Sequence, residues 1–388
     1  MTVLLIVLLL VLLAVLLFAY LRQSGSRVVR SRPPRLLPVT WSDDDIELPC
    51  TPMTDAPGRY GIWVRGADEE EETHLLVGER RTDPSGSPTV HRAVRHVAGP
   101  QRDGKGLARF TGHVFPSPDS IAPRRWSEAT VPSGVGPCPA WLITPGQAHD
   151  PASWGIHIHG FGTTRITALR TVPAAETLRL TCLVPSFRGD GDGPPTRSSS
   201  STLGAAEWAD IDAAIDFAVD HGAKDITLFA WSMGAPLAFA AAARGKNADR
   251  IRGIVAIAPV TDWPLLIRAG ARRSGLPAFL GSFTAWGLQQ PLIERSLGIT
   301  TRISFQITRA DARAAAERLP ILILHSEDDP IVPHEGSCLF ERAYPDTVTL
   351  RSFRTVGHAW EYNAEPDKFN DAIIAWYRDR TSHPTPNP

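Results

Sequence analysis

The chain has 388 residues, with 40 lysines and arginines against 41 aspartates and glutamates and a net charge of −1. That length suits one large α/β core with additions, and the balanced charge gives no field to attract a polyanion, so nucleic acid is excluded as an expected partner. Four cysteines (Cys50, Cys138, Cys182, Cys338) with no CxxC pair exclude a disulfide framework and a zinc ribbon, and lean towards a reducing compartment.

The chain opens on an uncharged apolar run from Val3 to Leu21. At ~1.5 Å per helical residue it spans roughly 28 Å, close to the ~30 Å hydrocarbon core of a bilayer. No basic leader precedes the run and no small-x-small site follows it. The expectation is therefore an uncleaved transmembrane anchor over residues 1–22, with the membrane as partner through residues 3–21, rather than a signal peptide. Arg22, Arg27, Arg30, Arg32 and Arg35 all follow the run and none precede it. The positive-inside rule then keeps the rest of this single-pass chain in the cytoplasm.

Residues 23–38, ending in "RSRPPRLLP", form a basic, proline-rich linker. Residues 39–125 form an accessory segment in which short apolar stretches such as "RYGIWVRG" and "THLLVGER" alternate with turn residues, as strands or short helices. The acidic run Asp68 to Glu72 reads as a solvated loop, and the serines 198–201 and the tail 381–388 as disordered.

From residue 126 to 380 the pattern changes to short apolar strands separated by helix-length segments, which predicts a mostly parallel, doubly wound sheet covered on both faces. "SEATVPS" and "PAWLITPG" read as a hairpin; "WGIHIHG", "LTCLVPS", "DITLFAW", "IRGIVAIAPV" and "PILILHS" read as buried strands. "AAEWADIDAAIDFAVDHG" is a helix stopped at Gly222, and "DKFNDAIIAWYRDR" is the closing helix. The interval 262–310, apolar and broken by Pro and Gly, is too long for a simple crossover and is expected to form a helical lid.

"FAWSMGAP" runs a strand straight into Ser232 and out into an alanine-rich helix, with Ala230 and Gly234 two positions either side. So tight a corner lifts a hydroxyl out of the sheet edge and sets it at a helix N-terminus. A serine needs a base, and the base an orienting acid. "LHSEDDPIVP" supplies Asp329 after a strand and "TVGHAWEYN" supplies His358. The catalytic residues expected are thus Ser232, Asp329 and His358, in that chain order. Asp262, Glu327 and Asp328 remain alternative acids. For the oxyanion hole, the N–H of Met233 and that of Phe161, in "HIHGFG", are the candidates. His157 and His159 lack further ligands at metal spacing, so neither a metal nor a cofactor is expected, and "GDGDG" (189–193) reads as a turn rather than a calcium loop.

These residues resemble the α/β-hydrolase superfamily over about residues 127 to 380. "VPSGVGPCPAWLITPG", "HIHGFG", "SFRGDGDGPP" and "AWSMG" are similar to a bacterial, membrane-anchored group of serine hydrolases with an AxSxG elbow. The resemblance implies an α/β-hydrolase fold and Ser232, Asp329 and His358 as triad. Ala230 departs from the usual first glycine, and Pro236 is expected to weaken the following helix slightly. The function expected is hydrolysis of carboxylic esters of apolar substrates through an acyl-enzyme. A serine peptidase or aminopeptidase of the same superfamily is the alternative. A non-catalytic, membrane-tethered binding module is the third reading.

Overall fold

The structure is a computed structural model that describes residues 1–66, 71–81, 87–99, 103–196, 198–355 and 357–382. The apolar N-terminal run is one long helix, α1 (Thr2–Val29), which continues seven residues beyond the expected anchor boundary at residue 22. The reason is packing. Leu21, Gly25 and Val29 recur every fourth residue and are buried against the body of the protein, whereas Val3 to Leu17 hold their large apolar side chains in the open.

The segment after the linker is a closed antiparallel barrel. Its strands are β1 (Leu37–Trp41), β2 (Asp45–Pro49), β3 (Tyr60–Gly66), β4 (Thr73–Arg80), β5 (Thr89–Ala98) and β6 (Gly104–Thr111). They pair in the order β1-β2-β5-β4-β3-β6, and β6 closes on β1. Alternation places Ile46, Leu48, Tyr60, Ile62, Val64, Leu75, Val77 and Val90 inside. Arg92 is also fully buried there, and its guanidinium donates to the carbonyls of Thr54, Ala56 and Gly58 at 2.8–2.9 Å, which satisfies a charge in the interior.

The second sheet has eight strands in the order β14-β13-β12-β11-β9-β10-β8-β7. They are β7 (Trp126–Ser133), β8 (Gly136–Ile143), β9 (Ser153–Ile158), β10 (Thr181–Pro185), β11 (Asp225–Trp231), β12 (Ile251–Ile257), β13 (Ile321–Ser326) and β14 (Val348–Phe353). All pairs from β10 to β14 are parallel, and β7 and β8 add an antiparallel edge. The first crossover is a 3₁₀ stretch (Arg165–Thr171) leading into the short α2 (Val172–Thr177). The others are α3 (Trp208–Asp220) and α4 (Gly234–Arg244). Four helices lie between β12 and β13: α5 (Trp263–Arg273), α6 (Ala278–Gly287), α7 (Pro291–Ser296) and α8 (Phe305–Arg318). The chain ends on α9 (His334–Ala343), the single turn α10 (Glu361–Ala364) and α11 (Pro366–Ser382).

Successive residues of each inner strand enter opposite cores. Leu228 and Ala230 join the core beneath α3 and α4, whereas Phe229 and Trp231 join the core with α2 and α11. The serines 198–201 depart from the disordered expectation. Ser200 pairs with Arg30, its hydroxyl donates to the Leu297 carbonyl at 2.8 Å, and the Ser201 N–H donates to the Val29 carbonyl at 2.7 Å. Glu72 pairs with Arg109, while residues 68–70 of the acidic run and 383–388 of the tail lie outside the described residues.

Candidate active site

Chain order runs from β9 outward to β10 and then back across β9 to β11, so the strand order reverses between β9 and β11. Loops leaving the carboxyl ends of two such strands diverge and open a crevice. Ser232 follows β11 and Gly160 follows β9 at that point. A Cβ on Gly160 would stand 3.1 Å from both Ser232 Cβ and the Trp231 carbonyl oxygen, a tight contact that glycine spares the two loops.

Ser232 has φ +52, the left-handed region that a non-glycine residue enters at a cost on the order of 1 kcal/mol or more. Neighbouring strands hold it there: its N–H donates to the Ile257 carbonyl at 2.8 Å and its carbonyl accepts from the N–H groups of Val260 and Ala235 at 3.2 Å. Gly234 is needed for a second reason, since a Cβ there would stand 2.8 Å from the Ile158 carbonyl oxygen. Pro236 does not weaken α4 as expected. It lies in the first turn of a helix that begins at Gly234, where its missing N–H has no intrahelical acceptor to lose.

Three side chains from separate loops meet. The Ser232 Oγ lies 2.8 Å from His358 Nε2, and His358 Nδ1 lies 2.6 Å from Asp329 Oδ2. With Asp329 an acceptor, Nδ1 carries the proton and Nε2 accepts from the serine hydroxyl. Asp329 is fully used. Its Oδ1 accepts the N–H groups of Ile331 and Val332 at 2.7 and 2.9 Å, and its Oδ2 also faces His325 Nε2 at 3.3 Å. The other candidate acids are engaged elsewhere: Asp262 caps α5 and pairs with Arg309, Glu327 pairs with Arg354, and Asp328 is exposed.

Electrostatics follows this geometry. Burial opposes the Asp329 carboxylate, yet the two imidazoles beside it hold its pKa well below the usual carboxylate range. Burial likewise opposes a charged His358, but the charge and hydrogen bond of Asp329 outweigh it and raise the pKa above 6.5.

Phe161 and Met233 line one small cavity, together with Gly160, Ser31 and Ser201. Met233 is the N-cap residue of α4, so the helix N-terminus adjoins this cavity. His157 and His159 turn to different partners. His157 hydrogen-bonds Thr171 at 2.7 Å and stacks on Phe229, while His159 contacts Asp190 at 2.6 Å and stacks on Phe187. Asp190 in turn accepts the N–H groups of Phe187, Asp192 and Gly193, which makes "GDGDG" a turn folded around one carboxylate.

Sequence reasoning passed over the residues that hold the His358 loop. Ala359 has φ +58, and its carbonyl accepts from Arg170 at 2.6 Å. Arg170 is buried over the Trp231 ring at 4.0 Å and also donates to Asn363 Oδ1. Asn363 Nδ2 reaches the edge of the barrel, donating to the carbonyls of Arg59, just before β3, and Gly112, just after β6, at 2.7 and 3.0 Å. Burial lowers the Arg170 pKa to about 10, still far above neutrality, so the guanidinium keeps its charge. The available signal was the run of aromatic and polar residues after His358 in "HAWEYN", too dense for an exposed loop.

The profile described as "Alpha/beta hydrolase family" matches residues 141–372, more than half of the chain. The chain belongs to the alpha/beta hydrolase family. Among solved structures, the hydrolase is similar to an esterase of Pyrococcus furiosus at 16% identity and a TM-score of 0.50, over 68% of this chain and 94% of that one. It is also similar to Est1E of Butyrivibrio proteoclasticus (17%, TM-score 0.49, 66% and 99%) and to the esterase domain of a Rhodothermus marinus protein (18%, TM-score 0.45, 66% and 98%). At these identities the likeness is one of fold. No curated protein matches the hydrolase in sequence.

Proposed function

We propose that this hydrolase is a serine esterase. The observation that carries the reading is the unbroken hydrogen-bond chain from Ser232 Oγ through His358 to Asp329. As Oγ bonds to the acyl carbon, its proton passes to His358 Nε2 and the carbonyl π pair moves onto oxygen, where the N–H groups of Phe161 and Met233 receive the charge. The ester C–O bond then breaks, the leaving alkoxide takes the proton from His358, and an acyl-enzyme remains. Water repeats the sequence: it gives a proton to His358, adds to the acyl carbon, and the Ser232 oxygen leaves and recovers that proton.

Two further assignments accompany this one. Helix α1 crosses a membrane once over residues 3–21 with the body on the cytoplasmic side, in keeping with its uncovered apolar surface and the arginines that follow it. The interval 262–310, which spans α5 to α7 and the start of α8, forms a lid.

Fluorophosphonate labelling of the native chain beside Ser232→Ala tests the nucleophile, and label retained by the variant would overturn it. A p-nitrophenyl ester series against aminoacyl amides tests the chemistry. Esters should turn over faster, and faster amide cleavage would make the chain a peptidase instead.

A further inference from the structure

Helix α6 meets α1 where the uncovered part of α1 ends. The Tyr20 hydroxyl donates to the Leu280 carbonyl at 3.0 Å and adjoins Thr284, whose hydroxyl also reaches Ser24 at 3.0 Å. Leu21 sits against Gly287, and Gly25 against Leu288 and Leu297, so that glycines let the helices close on one another. The rings continue outward from this joint. Tyr20 stacks on Phe283 with centroids 6.4 Å apart, and Phe283 on Trp286 at 5.3 Å.

Phe279, Phe283 and Trp286 recur at helical spacing on one face of α6; Phe283 is half-buried against Tyr20 and the core, while Phe279 and Trp286 beside it are open. Phe279 is 67% exposed and Trp286 51%, with Leu276 and Leu292 exposed on either side. A cluster of large apolar residues left in water is costly unless something covers it. Continuity with α1 identifies the cover. The apolar run from Val3 spans ~28 Å by residue 21, which sets Tyr20 at the level where hydrocarbon gives way to headgroups. Rigid contact with Tyr20 puts the aromatic face of α6 at the same level, the depth at which Trp and Tyr concentrate in membrane proteins. Arg22, next to Tyr20 and Leu21 on α1, and Arg272, at the end of α5 four residues before Leu276, are exposed, as anionic headgroups require.

The same joint leads to the cavity beside the Ser232 corner. Val29, Arg30 and Ser31 follow directly from α1. The Val29 carbonyl accepts from Ser201, Arg30 Nε donates to Ser200 at 3.2 Å, and a Cβ on Gly162 would stand 3.0 Å from Ser31 Cβ. Ser31 and Ser200 line the cavity that Phe161 and Met233 also line.

We infer that the Phe279–Phe283–Trp286 face of α6 lies in the bilayer leaflet from which α1 emerges, so that the hydrolase draws acyl esters of membrane lipids from that leaflet. The inference rests on α1 spanning the membrane and deepens the esterase reading.

The test uses the full chain in vesicles of phosphatidylcholine and phosphatidylglycerol, in a Cys50→Ser, Cys338→Ser background. Nitroxide labels at Leu10→Cys, Phe279→Cys and Val135→Cys are compared for collision with oxygen and with a nickel chelate. Labels at 10 and 279 should favour oxygen several-fold over the label at 135, which sits in an exposed hairpin. If the label at 10 favours oxygen and the label at 279 favours nickel, the inference falls and the membrane span stands. If 279 is shielded from both reagents, a second protein copy covers the face and the inference falls. If the label at 10 favours nickel, the span falls and the inference with it. Activity gives a second readout: Phe279→Ser with Trp286→Ser should lose about tenfold in kcat/KM on a diacylglycerol ester within vesicles and keep its rate on soluble p-nitrophenyl acetate. Equal rates on the vesicle ester would overturn the inference, while a native chain inactive on both esters would overturn the esterase reading independently of the label depths.

Discussion

The Trp360 indole lies in the core of the β-barrel, 4.7 Å from the Tyr60 ring, two residues beyond His358. It also lies 5.8 Å from Phe110. The barrel therefore closes on a side chain from the loop that carries the proposed general base. Together with Arg170 and Asn363, this gives the accessory segment a mechanical role: it anchors the backbone on the far side of His358.

Trp360→Ala removes that plug and leaves a cavity in the barrel. An aromatic-to-alanine change of this kind costs about 3–5 kcal/mol, and urea unfolding should read it directly. Because the loop loses its anchor, kcat should also fall more than KM rises. Trp360→Phe keeps an aromatic ring in the barrel and should recover most of both. A Trp360→Ala chain with native kcat would show that the barrel does not set the position of His358.

The pH profile carries a sign. In the proposed mechanism His358 must be neutral to accept the Ser232 proton, so kcat/KM on a soluble ester should rise as pH passes through its pKa, with the midpoint above 6.5. Burial, the largest influence, opposes the imidazolium and Asp329 is its main support, so in Asp329→Asn burial together with Arg170 outweighs the remaining support from Glu361. The variant's midpoint should move to lower pH, and kcat should fall roughly 10⁴-fold, because an amide no longer selects the Nδ1–H tautomer. A midpoint unmoved in Asp329→Asn would mean that another group controls the profile.

Gly234→Ala tests the elbow. The new methyl meets the carbonyl oxygens of Ile158 and His159 at 2.8 and 2.9 Å, both backbone atoms that cannot step aside without moving β9. A stability loss of about 1–3 kcal/mol by thermal or urea unfolding is expected, with a fall in kcat as the β9 loop shifts from Ser232. Wild-type stability and rate in this variant would contradict the close approach of the two loops.

His325 is a positioning residue. It is fully buried, its Nδ1 lies 2.7 Å from the Ser337 hydroxyl, and its Nε2 faces both Asp329 Oδ2 and the Val332 carbonyl. With two acceptors at Nε2, the proton resides there, and Ser337 donates to Nδ1. His325→Phe deprives Asp329 of that donor, so the Asp329 pKa should rise towards its ordinary value and kcat fall by roughly tenfold, the scale of one charge-assisted hydrogen bond. His325→Gln, which restores an N–H, should recover part of the loss. An equal loss in both variants would mark a packing effect only.

Much of the hydrolase half was legible because its signals are local. Parallel strands buried on both faces read as unbroken apolar runs, as in "LTCLV" and "ILILH", and the elbow at Ser232 needs small residues at set positions in one short stretch. The barrel was not legible. Its closure joins β1 to β6 across some sixty residues of chain, and Arg92, fully buried within it, reads as a surface residue until four carbonyls from one loop and one strand surround it.

The sequence by itself determined the order of elements, the strand-to-helix corner at Ser232, and the uncovered apolar helix at the N-terminus, since each follows from side-chain chemistry among near neighbours. Only the tertiary structure decided which of four acids reaches His358, that α1 continues to Val29 against α6, and that Trp360 ties the barrel to the His358 loop. Those outcomes depend on where side chains far apart in the chain point once the sheets have twisted and packed, and no local pattern encodes that direction.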